Sequence, residues 1–85
     1  MPVSEQPLAK RIARVLAAAA HSSNAEGSDP SAAEKVDLAW PEHFDEAIAV
    51  LHTMREADTR MASVGDAEIW TRMVEVAIEE AGASA

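Results

Sequence analysis

Apolar residues recur at intervals of three and four along most of the chain and do not alternate with polar residues. Such intervals place side chains on one face of an α-helix, whereas a half-buried β-strand requires strict alternation. The sequence therefore predicts an all-α fold. We expect a three-helix bundle in one domain spanning residues 1–85, with helices near residues 4–21, 41–63 and 66–81.

The first predicted helix starts at Ser4, a residue suited to the N-cap, and carries Pro7 in its first turn, where a missing amide costs little. Its predicted inner stripe consists of Leu8, Ile12, Val15, Leu16 and Ala19. Three alanines flank that stripe at positions 9, 13 and 17. Because alanine is small, a neighbouring helix is expected to approach closely along that flank.

Residues 22–40 connect the first helix to the second and are rich in serine, glycine and other loop-forming residues. We expect this connection to be mobile, above all from Ser22 to Ser28. Asp29 and Pro30 have the character of an N-cap followed by a first helical residue, so a short helix near residues 30–36 is also expected.

The second and third helices are predicted to form an antiparallel hairpin, because only a tight turn separates them. Pro41 favours an extended Trp40 and a helix that starts after it. Gly65 is expected to end that helix in a left-handed conformation, and Asp66 to cap the next, which stops at Gly82.

The apolar faces of these two helices are wider than one three-helix core requires. The second presents Phe44, Ala47, Ile48, Leu51 and Met54, widened by Val50, Ala57 and Met61. The third presents Ile69, Trp70, Met73, Val74, Ala77 and Ala81, with Val76 and Ile78 at its margins. The surplus predicts a homodimer, and Val50, Met61 and Val76 are candidate partner-binding residues.

The charge distribution excludes some partners and suggests others. The net charge is −8, and residues 42–85 carry ten acids against three arginines. Such a surface argues against nucleic acid and anionic membranes. The first helix is the basic exception, and its Lys10, Arg11 and Arg14 are candidate contacts for an acidic partner or a second copy.

No catalytic or cofactor motif is present in the sequence. There is no cysteine, no glycine-rich phosphate loop and no nucleophile elbow. The pairs His43–Glu46 and His52–Glu56 lie too far apart along one helix to chelate a single ion, so solvated polar residues are the expected interpretation. We therefore predict a protein that is not an enzyme, without metal, cofactor or small-molecule substrate, and cytoplasmic.

Three segments together resemble small uncharacterised helical proteins of phages and alphaproteobacteria. They are the helix Leu8-Ala-Lys-Arg-Ile-Ala-Arg-Val-Leu16, the pair Asp29-Pro30, and Trp40-Pro41-x-x-Phe44-x-Glu46-Ala47-x-Ala49-Val50-Leu51. The resemblance covers residues 8–57. It implies an accessory protein of phage or bacterial origin and brings no activity and no site residues.

These observations favour a non-catalytic helical interaction or assembly module that self-associates. A second hypothesis is an acidic inhibitor or decoy that occupies a basic partner, as antitoxins and nucleic-acid mimics do. The acidic stretch at residues 42–85 is the feature behind that alternative.

Overall fold

The computed structural model describes residues 3–24 and 32–84, and within these ranges the chain is helical and contains no strand. The all-α prediction is therefore confirmed. The elements in chain order are α1 (Leu8–Asn24), α2 (Ala32–Ala39), a 3-10 turn (Trp40–His43), α3 (Phe44–Met54), α4 (Thr59–Val64) and α5 (Ala67–Ser84). No helix in the described ranges is both long enough and apolar enough to cross a bilayer.

Helix α1 begins later than predicted. The Ser4 hydroxyl accepts from the Gln6 amide at 3.1 Å in a local turn, and the Arg11 amide donates to the Pro7 carbonyl at 3.2 Å. Ser4 is therefore not the N-cap, and Pro7 stands immediately before the helix. Pro7 has no N–H group, and at this position an N–H group would have no acceptor within the helix, so proline costs no hydrogen bond here.

The buried stripe of α1 also differs from the predicted one. Ala9, Ala13 and Ala17 are completely buried, whereas Val15 is 67% exposed and Ala19 lies outside the core. The three alanines are four residues apart, so they share one face. Helices α2, α3 and α5 and the 3-10 turn pack against α1, and side chains this small permit their close approach.

The predicted connection at residues 22–40 is largely helical where the structure describes it. Ser22 to Asn24 belong to α1, and α2 occupies Ala32–Ala39, which confirms the expected short helix but ends it three residues later. The Asp29-Pro30 cap and the rest of the segment predicted to be mobile lie outside the described residues. Trp40 opens the 3-10 turn, so the expectation of an extended Trp40 is wrong.

The single helix predicted at residues 41–63 is broken into three pieces. After the 3-10 turn, α3 ends with the Arg55 amide donating to the Leu51 carbonyl at 3.0 Å. Asp58 then adopts an extended conformation and accepts from the Met61 amide at 2.8 Å, which makes it the N-cap of α4. An aspartate at the N-cap satisfies one of the amides that a helix start leaves unpaired.

Two predictions at the turn before α5 have opposite outcomes. Asp66 caps α5 as expected, since its carboxylate accepts from the amides of Glu68 and Ile69 at 2.9 and 3.1 Å. Gly65 is extended, with φ −152° and ψ −162°, so the left-handed conformation expected there is wrong. Gly82 does not stop α5, which continues to Ser84.

The core is built mainly from small side chains. Leu51, Val74 and three alanines at positions 9, 77 and 81 form one buried cluster. Larger side chains pack around it without being fully buried: Leu8, Ile12, Phe44, Ile48, Met54, Trp70 and Ile78. Within the described part of the chain, Leu51 is the largest fully buried side chain, so this core excludes relatively little apolar surface from water.

Candidate interaction surface

Helix α5 carries apolar side chains on two faces. Val74, Ala77 and Ala81 are buried against the rest of the molecule. Ile69, Met73 and Val76 follow the helical spacing i, i+4, i+7 on a different face and are 49%, 64% and 53% exposed. Ile69 and Met73 had been predicted to face inward, so that part of the predicted core is wrong.

Met61 of α4 extends this exposed stripe. It is 40% exposed, and with Ile69 and Met73 it lines a groove of about 200 Å³ between α4 and α5. None of the six residues of α4 is buried, so α4 lies at the edge of the molecule. We call Met61, Ile69, Met73 and Val76 the α4–α5 face.

A second and larger groove borders the same face on its other side. Its volume is about 490 Å³, and its walls come from the segment before α1, the first turn of α1 and α5. The apolar lining includes Val3, Pro7, Leu8, Met73, Val76 and Ala77. Met73 and Trp70 line both grooves, so the two depressions adjoin each other on α5.

Charged residues surround the apolar stripe. Arg72 lies in the shallow depression formed with Ile69, Met73 and Val76, and Arg11 and Glu80 stand at the large groove. Beyond Arg72 the chain carries three glutamates and no basic residue. The α4–α5 face therefore combines an apolar centre with a polar rim, the usual organisation of a protein–protein interface.

Two of the three basic residues of α1 named above interact with other parts of the same molecule. Arg14 forms an ion pair with Asp37, with 2.7 Å between Nη1 and Oδ1. Lys10 places its Nζ 5.1 Å from the centre of the Trp40 ring. Arg11 is exposed. The three predicted partner contacts therefore do not form one common surface, since two of them tie α1 to α2 and the 3-10 turn.

The apolar residues predicted to bind a partner are also only partly brought together. Met61 and Val76 both border Met73 and belong to the α4–α5 face. Val50 is 36% exposed on α3 and lines none of the three grooves described here. Sequence reasoning did not identify Ile69 and Met73 as surface residues. The excess width of the apolar face did indicate that some of its side chains would be exposed to solvent.

The histidine and acidic side chains do not assemble into a metal site where the structure describes them. His43 Nδ1 lies 3.0 Å from Glu46 Oε1, and both residues are on one helical turn. Over residues 3–24 and 32–84, no three histidine, aspartate or glutamate side chains converge in a geometry that holds a metal ion.

The described residues thus define a small helical protein with an exposed apolar face that two grooves border. No protein-family model, curated protein or solved structure matches the chain.

Proposed function

We propose that the protein is a non-catalytic helical interaction module that self-associates, with a second copy covering the α4–α5 face. The observation that carries this proposal is the contiguous exposed stripe of Ile69, Met73 and Val76 beside Met61. An apolar patch rimmed by polar residues is typical of association sites on small proteins.

The alanine-rich core supports the same proposal. Ala9, Ala13 and Ala17 contribute little side-chain area, and Leu51 is the largest fully buried side chain in the described ranges. A chain of this size is marginally stable even with an ordinary core. Covering the α4–α5 face would add apolar burial that the monomer lacks, so folding and association are expected to reinforce each other.

In this proposal α1, α3 and α5 are the three main helices of one bundle, and α3 and α5 form its antiparallel hairpin. Two bonds across the α3–α5 pair support the hairpin. Trp70 Nε1 donates to the Met54 carbonyl at 2.6 Å, and the Thr71 hydroxyl donates to the Arg55 carbonyl at 2.9 Å. Both bonds join the end of α3 to the beginning of α5.

The experiment that tests the proposal compares two charge insertions by sedimentation velocity at matched concentrations. Met73→Glu places a carboxylate in the centre of the α4–α5 face and is expected to give a monomer. Val15→Glu is the matched control, because Val15 is similarly exposed but lies on α1. Equal sedimentation of both variants and the unmodified protein would contradict the proposal.

A second candidate function is that of an acidic decoy for a basic partner. The glutamates of α5 and the absence of a basic residue after Arg72 favour it. Binding of this kind depends on exposed charges and is expected to disappear in 0.5 M salt, where charges are screened within a few ångströms. Association through the apolar face is expected to persist at that salt concentration, so a pull-down at low and high salt separates the two.

A further inference from the structure

We propose that the α4–α5 face also binds an amphipathic helix of a partner protein, one that carries lysine or arginine beside its apolar stripe. This inference rests on the second candidate function, that of an acidic protein for a basic partner, and names the structure that the partner presents. A second copy covers the same face in the proposed dimer, so the partner helix and the second copy compete for it.

The shape of the face fits a helix. Ile69, Met73 and Val76 recur along α5 at i, i+4 and i+7, a span of about 10 Å or two helical turns. Grooves of about 200 and 490 Å³ adjoin each other on this helix. An amphipathic helix places its apolar side chains in such a groove with anchors at the same spacing. The partner therefore needs an apolar stripe of at least two turns.

Methionine gives the face side chains that adapt to a partner. Met61 and Met73 are both exposed, and both line the smaller groove. An unbranched thioether side chain adjusts its shape to different apolar partners, which is why methionine is frequent on binding surfaces. The half-buried Trp70 lines both grooves and adds an aromatic surface. These side chains favour an occupant with aliphatic anchors.

The charges beside the stripe favour a basic occupant. Glu68, Glu75 and Glu79 are exposed and lie on one flank of the stripe, by helical spacing of 100° per residue. Arg72 lies on the same flank and is the single basic residue of α5. Lysine or arginine on the partner helix, opposite these glutamates, forms exposed ion pairs, whereas acidic residues there are repelled.

The remaining charges around the face do not reverse this balance. The grooves are lined by Glu5, Asp66 and Glu80 and by Arg11 and Arg72. Helix α4 contributes Arg60 and its cap Asp58, which have opposite signs. Acidic side chains therefore outnumber basic ones by seven to three among the residues that line the grooves or belong to α4, its cap or α5.

Fluorescence anisotropy with synthetic peptides tests the inference. The probe is a fluorescein-labelled peptide of about 18 residues, or five helical turns, with leucine on one face and lysine elsewhere. One control peptide contains the same residues in an order without a stripe, and the other replaces every lysine by glutamate. We expect the probe to bind at least about tenfold more tightly than either control.

Two glutamate substitutions separate apolar docking from general attraction to an acidic protein. Met73→Glu makes the face more negative, so attraction by charge alone would tighten probe binding. We expect the dissociation constant to rise about tenfold or more instead, because the central apolar contact is lost. Leu38→Glu adds the same charge on α2, where an exposed leucine lines none of the three grooves, and is expected to change the constant by less than about twofold.

A double variant tests the flank charges without touching the apolar stripe. Glu75→Gln with Glu79→Gln is expected to raise the dissociation constant of the probe by about two- to tenfold, the range for two exposed ion pairs. Circular dichroism checks that each variant is folded. Light scattering at the same concentrations gives the fraction of monomer, so that competition from the second copy is included in the fit.

The possible failures are distinguishable. Probe binding to Met73→Glu as tight as to the unmodified protein, or equal binding of the probe and the reordered peptide, would overturn the inference and leave a general acidic decoy. Equal binding of the glutamate peptide, or no binding of either lysine peptide, would overturn the second candidate function as well. The mass of the unmodified protein without peptide tests self-association independently of these results.

Discussion

The indole Nε1 of Trp70 donates a hydrogen bond of 2.6 Å to the main-chain carbonyl of Met54. In a helix that continued past Met54, this carbonyl would accept from the Asp58 amide. The Thr71 hydroxyl likewise donates a hydrogen bond of 2.9 Å to the next main-chain carbonyl, that of Arg55. Two side chains of α5 thus replace two helical hydrogen bonds, which explains how the chain breaks between α3 and α4 at a point without proline or glycine.

Replacing Trp70 by phenylalanine removes the indole donor while keeping an aromatic ring. We expect the free energy of unfolding to fall by about 1–2 kcal/mol, because the Met54 carbonyl loses its partner at a half-buried position. Urea unfolding followed by circular dichroism measures the change. A stability equal to that of the unmodified protein would mean that the bond does not maintain the break.

Asp58→Ala removes the N-cap of α4, where the Asp58 carboxylate accepts from the Met61 amide at 2.8 Å. A loss of about 1 kcal/mol is expected, confined mainly to this short helix. Because Met61 belongs to the α4–α5 face, the proposed dimer should weaken as well. Hydrogen exchange at residues 61–64 reports the fraying, and Asp58→Asn, which retains a capping oxygen, is the control expected to behave almost normally.

Ala13→Leu is expected to destabilise the protein by about 1–3 kcal/mol, although leucine is both a good helix former and apolar. The reason is that Ala13 is completely buried and α1 packs closely against its neighbours. Ala19→Leu is the matched control on the same helix, where the side chain is exposed and little change is expected. Thermal unfolding compares the two, and equal midpoints would refute the close packing of α1.

The double variant Lys10→Gln, Arg14→Gln is expected to leave the dissociation constant of the proposed dimer unchanged within about twofold, since an intramolecular surface pair contributes little to association. Arg14 is engaged with Asp37, and Lys10 lies over the Trp40 ring. Sedimentation equilibrium measures the constant. A loss of the dimer would instead support the sequence-based prediction that the basic face of α1 binds the partner.

Residue spacing was sufficient to predict the helical class and several local features. Asp66 caps α5, and Leu51 is buried in α3, because capping chemistry and the 3.6-residue period act within one segment. The break at Asp58 was missed for a different reason. It depends on Trp70 and Thr71, twelve or more residues away along the chain, and no local pattern encodes that contact.

The candidate surface was predictable only in outline. The surplus width of the apolar faces indicated an uncovered face, and Met61 and Val76 were identified with it. Periodicity alone cannot decide which side of a broadly apolar helix packs inward. In α1 the buried side chains are Ala9, Ala13 and Ala17, whereas Val15 is exposed. The reason is that close approach of neighbouring helices favours the smallest side chains over the most apolar ones.

The molar mass of the unmodified protein, measured by light scattering behind a sizing column at tens of micromolar, tests self-association most directly. We predict a mass about twice the 9.0 kDa of one chain, retained in 0.5 M salt because the contact is apolar. A single species at 9.0 kDa under these conditions would contradict self-association and leave the α4–α5 face to a different partner.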